Sequence, residues 1–163
     1  MGTAGLRPRV AHSMVWAGSE AVVWGGWNVA DGSFADGARY NPATNLWAGL
    51  PSGGAPSARK GHSAVWTGSE MLIWGGGSNT GARFRLASDD WAPTSTSGAP
   101  SSRSSQSAVW TGREMVVWGG SSGTTPVSSG GRYDPASDTW LATNETGAPS
   151  PRIAASRDLV TAV

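Results

Sequence analysis

The chain contains no cysteine. That excludes a disulfide framework, a thiolate metal site and a cysteine nucleophile. Lysine is almost missing too, with Lys60 standing alone against eleven arginines. Lys60 follows Ser57-Ala58-Arg59 rather than a glycine-rich cradle, so the P-loop pattern is absent. Neither charge sign is in excess: twelve basic residues face eleven acidic ones, for a net charge of +1. Nothing in that balance points to nucleic acid or an anionic membrane as a partner. Long apolar runs are lacking. Stretches such as Met71-Leu72-Ile73-Trp74 are far too short to span a bilayer, and no N-terminal segment reads as a signal peptide. The expectation is a soluble chain with no membrane partner.

Glycine and tryptophan fill the gap. There are 24 Gly and 10 Trp, beside only two Phe and two Tyr. So much Gly signals low complexity or many tight turns. Disordered segments are poor in aromatics, so the tryptophans argue for the second: short strands joined by turns. The 163 residues suffice for one domain with a sizeable core.

Internal repeats organise the chain. Residues 11–26, 61–76 and 105–120 read AHSMVWAGSEAVVWGG, GHSAVWTGSEMLIWGG and SQSAVWTGREMVVWGG, identical in eight of sixteen columns. A second block follows each: GARYNPATNLW (37–47), GARFRLASDDW (81–91) and GGRYDPASDTW (130–140). A third closes each unit: GAPSAR, GAPSSR and GAPSPR, ending at Arg59, Arg103 and Arg152. From Arg9 through those three arginines the steps are 50, 44 and 49 residues, the period of propeller repeats.

The double glycine after a short apolar strand (Gly25-Gly26, Gly75-Gly76, Gly119-Gly120) resembles the kelch motif. So does an aromatic separated by six residues from a Trp: Tyr40 and Trp47, Phe84 and Trp91, Tyr133 and Trp140. The resemblance to kelch repeats covers about residues 9–163. It implies an all-β fold of kelch-type β-propeller blades: three four-stranded antiparallel blades plus the start of a fourth. Blade 1 is expected at about 9–58, blade 2 at 59–102, blade 3 at 103–151, with 152–163 as the innermost strand of a next blade or a closing strand. In each unit the innermost strand runs through Ser-Ala-Val-Trp or its equivalent, a tight hairpin follows, and the second strand ends on the double glycine. The loop between second and third strands varies most in length: 27–36, 77–80 and 121–129. In kelch propellers that loop shares a face with the GAPS-type connection, the usual ligand face.

Nine of the ten Trp fall in repeat columns and are read as packing between blades. Trp27 has no counterpart. It opens the longest variable loop with Asn28, Asp31, Phe34 and Asp36, an aromatic beside amide and carboxylate groups that suits a contact patch as well as it suits local tucking. His12 and His62 share one column on different blades, so they cannot hold one metal ion, and a ring nitrogen bonded to backbone is the better reading. Arg39, Arg83 and Arg132 are expected to pair with carboxylates or stack on rings. Arg9, Arg59, Arg103 and Arg152 precede the innermost strands and should ring the channel mouth. They either tie down backbone carbonyls or form an electropositive collar. Gly119-Gly120-Ser121-Ser122-Gly123 matches the G-x-S-x-G hydrolase pattern but lacks the following helix and a nearby His.

Two functions remain. The favoured one is a non-catalytic binding module presenting its inter-strand loops to a protein or glycan, with Trp27, Asn28, Asp31, Phe34, Arg59 and Arg103 as candidate contacts. The alternative is part of a carbohydrate-active kelch enzyme of the sugar-isomerising type. Galactose oxidase-like kelch members need a copper site with a Tyr–Cys link, which a chain without cysteine cannot make. No catalytic residue, metal ligand or cofactor is assigned. Three blades are half of a six-bladed ring, so a homodimer or the further blades of a longer propeller should complete the circle. The arginine, alanine and glycine bias points to a GC-rich bacterial source; the compartment is left open, with a secreted or extracytoplasmic protein preferred.

Overall fold

The computed structural model describes residues 5–153. Blade 1 comprises β1 (Ser13–Trp16), β2 (Ala21–Trp24), a small ribbon of β3 (Trp27–Asn28) and β4 (Gly32–Ser33), then β5 (Gly37–Asn41) and β6 (Leu46–Gly49). Blade 2 follows with β7 (His62–Trp66), β8 (Glu70–Gly75), β9 (Gly81–Arg85) and β10 (Asp90–Pro93). Blade 3 repeats the longer pattern: β11 (Ser107–Trp110), β12 (Met115–Trp118), a ribbon of β13 (Ser121–Ser122) and β14 (Thr125–Pro126), β15 (Gly130–Asp134) and β16 (Thr139–Ala142). Each blade is one four-stranded antiparallel sheet in chain order. The described residues contain no helix. The chain is thus all-β, in the blade architecture of a propeller, and the sheets of its described residues do not close into a circle. Two of the variable loops differ from expectation in carrying a ribbon of their own, whereas 77–80 is too short for one. The further strand expected over 152–163 falls, beyond Ile153, outside the described residues.

Period-two pleating sends alternate side chains of a strand to the two faces of its sheet. Blade 2 has neighbours on both faces, so Met71, Leu72, Ile73 and Trp74 are all 0% exposed. That is why β8 is a continuous apolar run. Toward blade 1 it presents Met71, Ile73, Phe84 and Trp91, which meet Val15, Val22 and Trp24. Toward blade 3 it presents Val65, Leu72 and Trp74, which meet Met115, Val117, Tyr133 and Trp140. The indoles sit tilted against one another, with centroids 5.8 Å apart for Trp24 and Trp91 and 5.3 Å for Trp74 and Trp140. Trp91 Nε1 donates to the Pro51 carbonyl and Trp140 Nε1 to that of Ser95, both at 3.0 Å and both across the blade boundary.

The same column reads differently at the ends of the array. Trp91 and Trp140 are 6% and 4% exposed, but Trp47, their counterpart in blade 1, is 44% exposed and Trp16 is 54% exposed. Trp66, Trp110 and Trp118 are intermediate. Interblade packing therefore accounts for most of the repeated tryptophans but not for Trp16 and Trp47, which face away from blade 2.

The double glycine has a steric cause. Gly25 and Gly26 adopt φ of +67° and +100°, a region that side chains other than Gly rarely enter. A Cβ on Gly25 would meet His62 Cε1 at 2.8 Å, and one on Gly26 the Val10 carbonyl at 2.9 Å. The close approach lets Gly26 N–H donate to the Arg59 carbonyl at 2.9 Å. Gly76 repeats that bond to Arg103, and Gly120 to Arg152. At the innermost end Gly61 N–H donates to the Ala11 carbonyl and Ser105 N–H to that of Gly61. These few backbone bonds lock successive blades in one orientation.

Candidate functional site

Register assigns the loops to faces. Ser13 pairs with Trp24, Trp24 with Gly37, and Ala38 with Gly49. The start of β1 and the ends of β2 and β6 therefore lie at one edge, so the β2–β5 loop and the connection into blade 2 share a face. The equivalent pairs in blades 2 and 3 put 77–80 and 121–129 on that face too.

On that face the residues around Trp27 are held in place by their own bonds. Trp27 exchanges both backbone hydrogen bonds with Val10 at 2.9 Å. Phe34 N–H donates to Gly26 and its carbonyl accepts from Arg59, tying the loop to blade 2. The Asn28 side-chain amide donates to the Pro8 carbonyl at 3.1 Å and to Asp31 Oδ2 at 2.9 Å, and Asn28 Oδ1 accepts from Asp31 N–H. Asp31 also pairs with Arg7. Trp27 and Phe34 are both half-buried, each with a cation over its ring: Lys60 Nζ lies 4.1 Å from the Trp27 centroid, and the Arg9 guanidinium 4.2 Å from that of Phe34. Arg9 in turn forms a two-point pair with Asp36, whose carboxyl its hydrogen bonds and charge hold below the usual carboxylate range. Trp27, Asn28, Asp31 and Phe34 thus belong to one patch. Arg7 and Lys60 belong to it as well, and the repeat pattern carries no signal for either.

Arg59 and Arg103 stand apart from it. Their exposure is 4% and 1%. Arg59 donates to the carbonyls of Ser57, Gly75 and Thr80 and to the hydroxyls of Ser57, Ser78 and Thr80. Arg103 repeats the set with Ser101, Gly119 and Ser129. A guanidinium offers five N–H donors in a planar fork, and here the protein itself takes them. The geometry favours the carbonyl-tying role for this column over the electropositive collar. The second arginine column pairs with carboxylates as expected: Arg39 with Glu20, Arg83 with Glu70 and Arg132 with Glu114. Arg39 also reaches Asp89, and Arg83 the Pro135 carbonyl, each on the next blade.

His62 is buried between blades 1 and 2, edge-on to Trp24 with centroids 5.3 Å apart. Its Nε2 meets the Ser13 hydroxyl at 2.8 Å rather than a backbone group. Burial, with the nearby Arg59 charge and His12, pushes its pKa down to about 3, so the ring is neutral at physiological pH. Gln106 fills the column in blade 3 and donates to the Trp74 carbonyl at 2.9 Å. With Asp36 held ionised and His62 held neutral inside a blade boundary, neither is poised to exchange a proton with a substrate. A cavity of about 430 Å³ lies on the opposite face, where the β7–β8 and β11–β12 hairpins meet the turn at Pro135, lined among others by Glu70, Trp110, Arg113 and Asp134.

Compared with known families, residues 11–161 match the one described as the KLHDC2/KLHL20/DRC7 Kelch-repeats domain. No curated protein matches the chain. The match spans the three four-stranded sheets, the double-glycine bonds and the aromatic columns, and the chain belongs to the kelch-repeat family.

Proposed function

We propose that the chain is a protein-binding module whose contact surface is the patch of Trp27, Asn28, Asp31, Phe34 and Lys60. Kelch-repeat domains generally mediate protein interactions. The observation that carries the assignment is the order of the patch. Its carboxylate, amide and cationic groups are bonded to one another and to blades 1 and 2. A preordered surface loses little side-chain entropy on binding. A half-buried indole at its centre has the character of an interface anchor. With Lys60 over one face of the Trp27 ring, the open stacking surface a sugar would use is reduced, which favours a peptide surface carrying a carboxylate for Lys60 and a donor for Asp31.

Peptide and glycan arrays probed with the wild-type chain and with Trp27→Ala and Asp31→Ala test this. The expected result is peptide capture by the wild type that both variants lose while their circular dichroism is unchanged. Retention by both variants refutes the patch, and capture of glycans alone refutes the protein reading.

A further inference from the structure

We propose that the cleft between blades 2 and 3, on the face opposite the Trp27 patch, is a second binding site and takes a neutral saccharide of one or two rings. It is independent of the loop patch and is built entirely from these two neighbouring blades.

The cleft lies where the repeat is broken. At the boundary of blades 1 and 2 the turn after β9 carries Leu86, which packs on the interblade core together with Trp66. The equivalent residue in blade 3 is Pro135, a smaller side chain, and beside it the cavity of about 430 Å³ opens against Trp110. That volume is at the lower end of ligand pockets, roughly 300–1,000 Å³, and suits a small ring system better than a length of peptide. Arg113 is a second departure, because blades 1 and 2 hold Ser19 and Ser69 in its column. Packing does not explain it, since its side chain is 81% exposed.

The charges of the lining argue against an ion as the ligand. Each carboxylate already has an arginine: Glu70 faces Arg83 Nε at 3.7 Å, and Asp134 faces Arg113 at 3.4 Å. An anion would meet the two carboxylates, and a cation would meet Arg113. A neutral ligand rich in hydroxyls meets neither penalty. Carboxylate oxygens accept, guanidinium N–H groups donate, and a hydroxyl does both. Hydrogen bonds to charged groups are also the stronger kind. Both carboxylates are held in position. Their side chains are only 21% and 16% exposed. Ala136 N–H donates to Asp134 Oδ1 at 2.9 Å, and the Arg83 that backs Glu70 is tied to the Pro135 carbonyl at 2.7 Å. Trp110 is half-buried, packed on the core between blades 2 and 3. Its uncovered part offers a rigid apolar surface on which the C–H face of a sugar ring can rest.

Saturation-transfer NMR and calorimetry with a panel of methyl glycosides and neutral disaccharides test the proposal. Arginine methyl ester and inorganic phosphate serve as the cationic and anionic controls. At least one neutral sugar should bind the wild-type chain, and neither ion should displace it. Arg113→Ala and Asp134→Asn should keep the wild-type melting temperature and weaken binding about tenfold or more. Pro135→Leu introduces the side chain that blade 2 carries in this column, and should abolish binding with circular dichroism unchanged. Trp27→Ala should bind the sugar as tightly as the wild type. A wild-type chain that binds no sugar of the panel overturns the proposal, as does displacement of the sugar by either ion. So does an affinity that survives Arg113→Ala, Asp134→Asn and Pro135→Leu, or one lost in Trp27→Ala, which would put the sugar on the loop patch instead.

Discussion

Acidification tests the packing between blades 1 and 2 through a single side chain. His62 is 2% exposed, its Nε2 bonded to Ser13 and its ring edge-on to Trp24. Its pKa is about 3 in the folded protein, against an ordinary value of 6.5. Between those values the unfolded chain binds the proton and the folded chain does not, so stability rises with pH across that window. The contribution is complete above about pH 6.5 and is lost as pH falls toward 3. At pH 5 the loss amounts to about 2 kcal/mol, following the slope of about 1.4 kcal/mol per unit. That is a sizeable share of the roughly 5–15 kcal/mol by which domains are stable. Carboxylates also titrate in this range, so the informative quantity is the difference between wild type and His62→Gln. Glutamine suits the site because Gln106 occupies the same column in blade 3. Urea midpoints measured from about pH 7.5 down to pH 4.5 should fall more steeply for the wild type than for the variant. Parallel curves would show that His62 can be protonated in place, and the argument from burial would be wrong.

Trp74→Ala removes a fully buried indole between blades 2 and 3 and should cost about 3–5 kcal/mol in denaturant melts, whereas Trp27→Ala should cost less than about 1 kcal/mol. Equal losses would place Trp27 in the core rather than in a contact surface. Arg59→Ala strands the Gly75 and Thr80 carbonyls and should lower stability by at least about 2 kcal/mol, read as a fall in melting temperature. An unchanged melting temperature would mean that the guanidinium is free for a ligand after all.

The strand order and the blade type were legible in the sequence because both are local. A double glycine is required where the backbone takes a positive φ against the next blade, and an apolar run such as Met71-Leu72-Ile73-Trp74 is required where a strand is covered on both faces. Repetition then made those local signals unmistakable. Other features needed the tertiary structure. Trp16 and Trp66 share a column and a sequence environment, yet one is exposed and the other packed, because only the second has a blade in front of it. Arg59 reads from its column as a collar residue or a tie, and the choice rests on carbonyls 16 and 21 positions away that folding brings within 2.9 Å. Arg7 joins the Trp27 patch where β3 pairs with Val10, and Lys60 where the Arg59 backbone bonds Gly26 and Phe34, contacts between segments that lie far apart in the sequence. Periodicity reports what a residue faces within its own sheet; which sheet stands opposite is decided by the packing of one blade on the next.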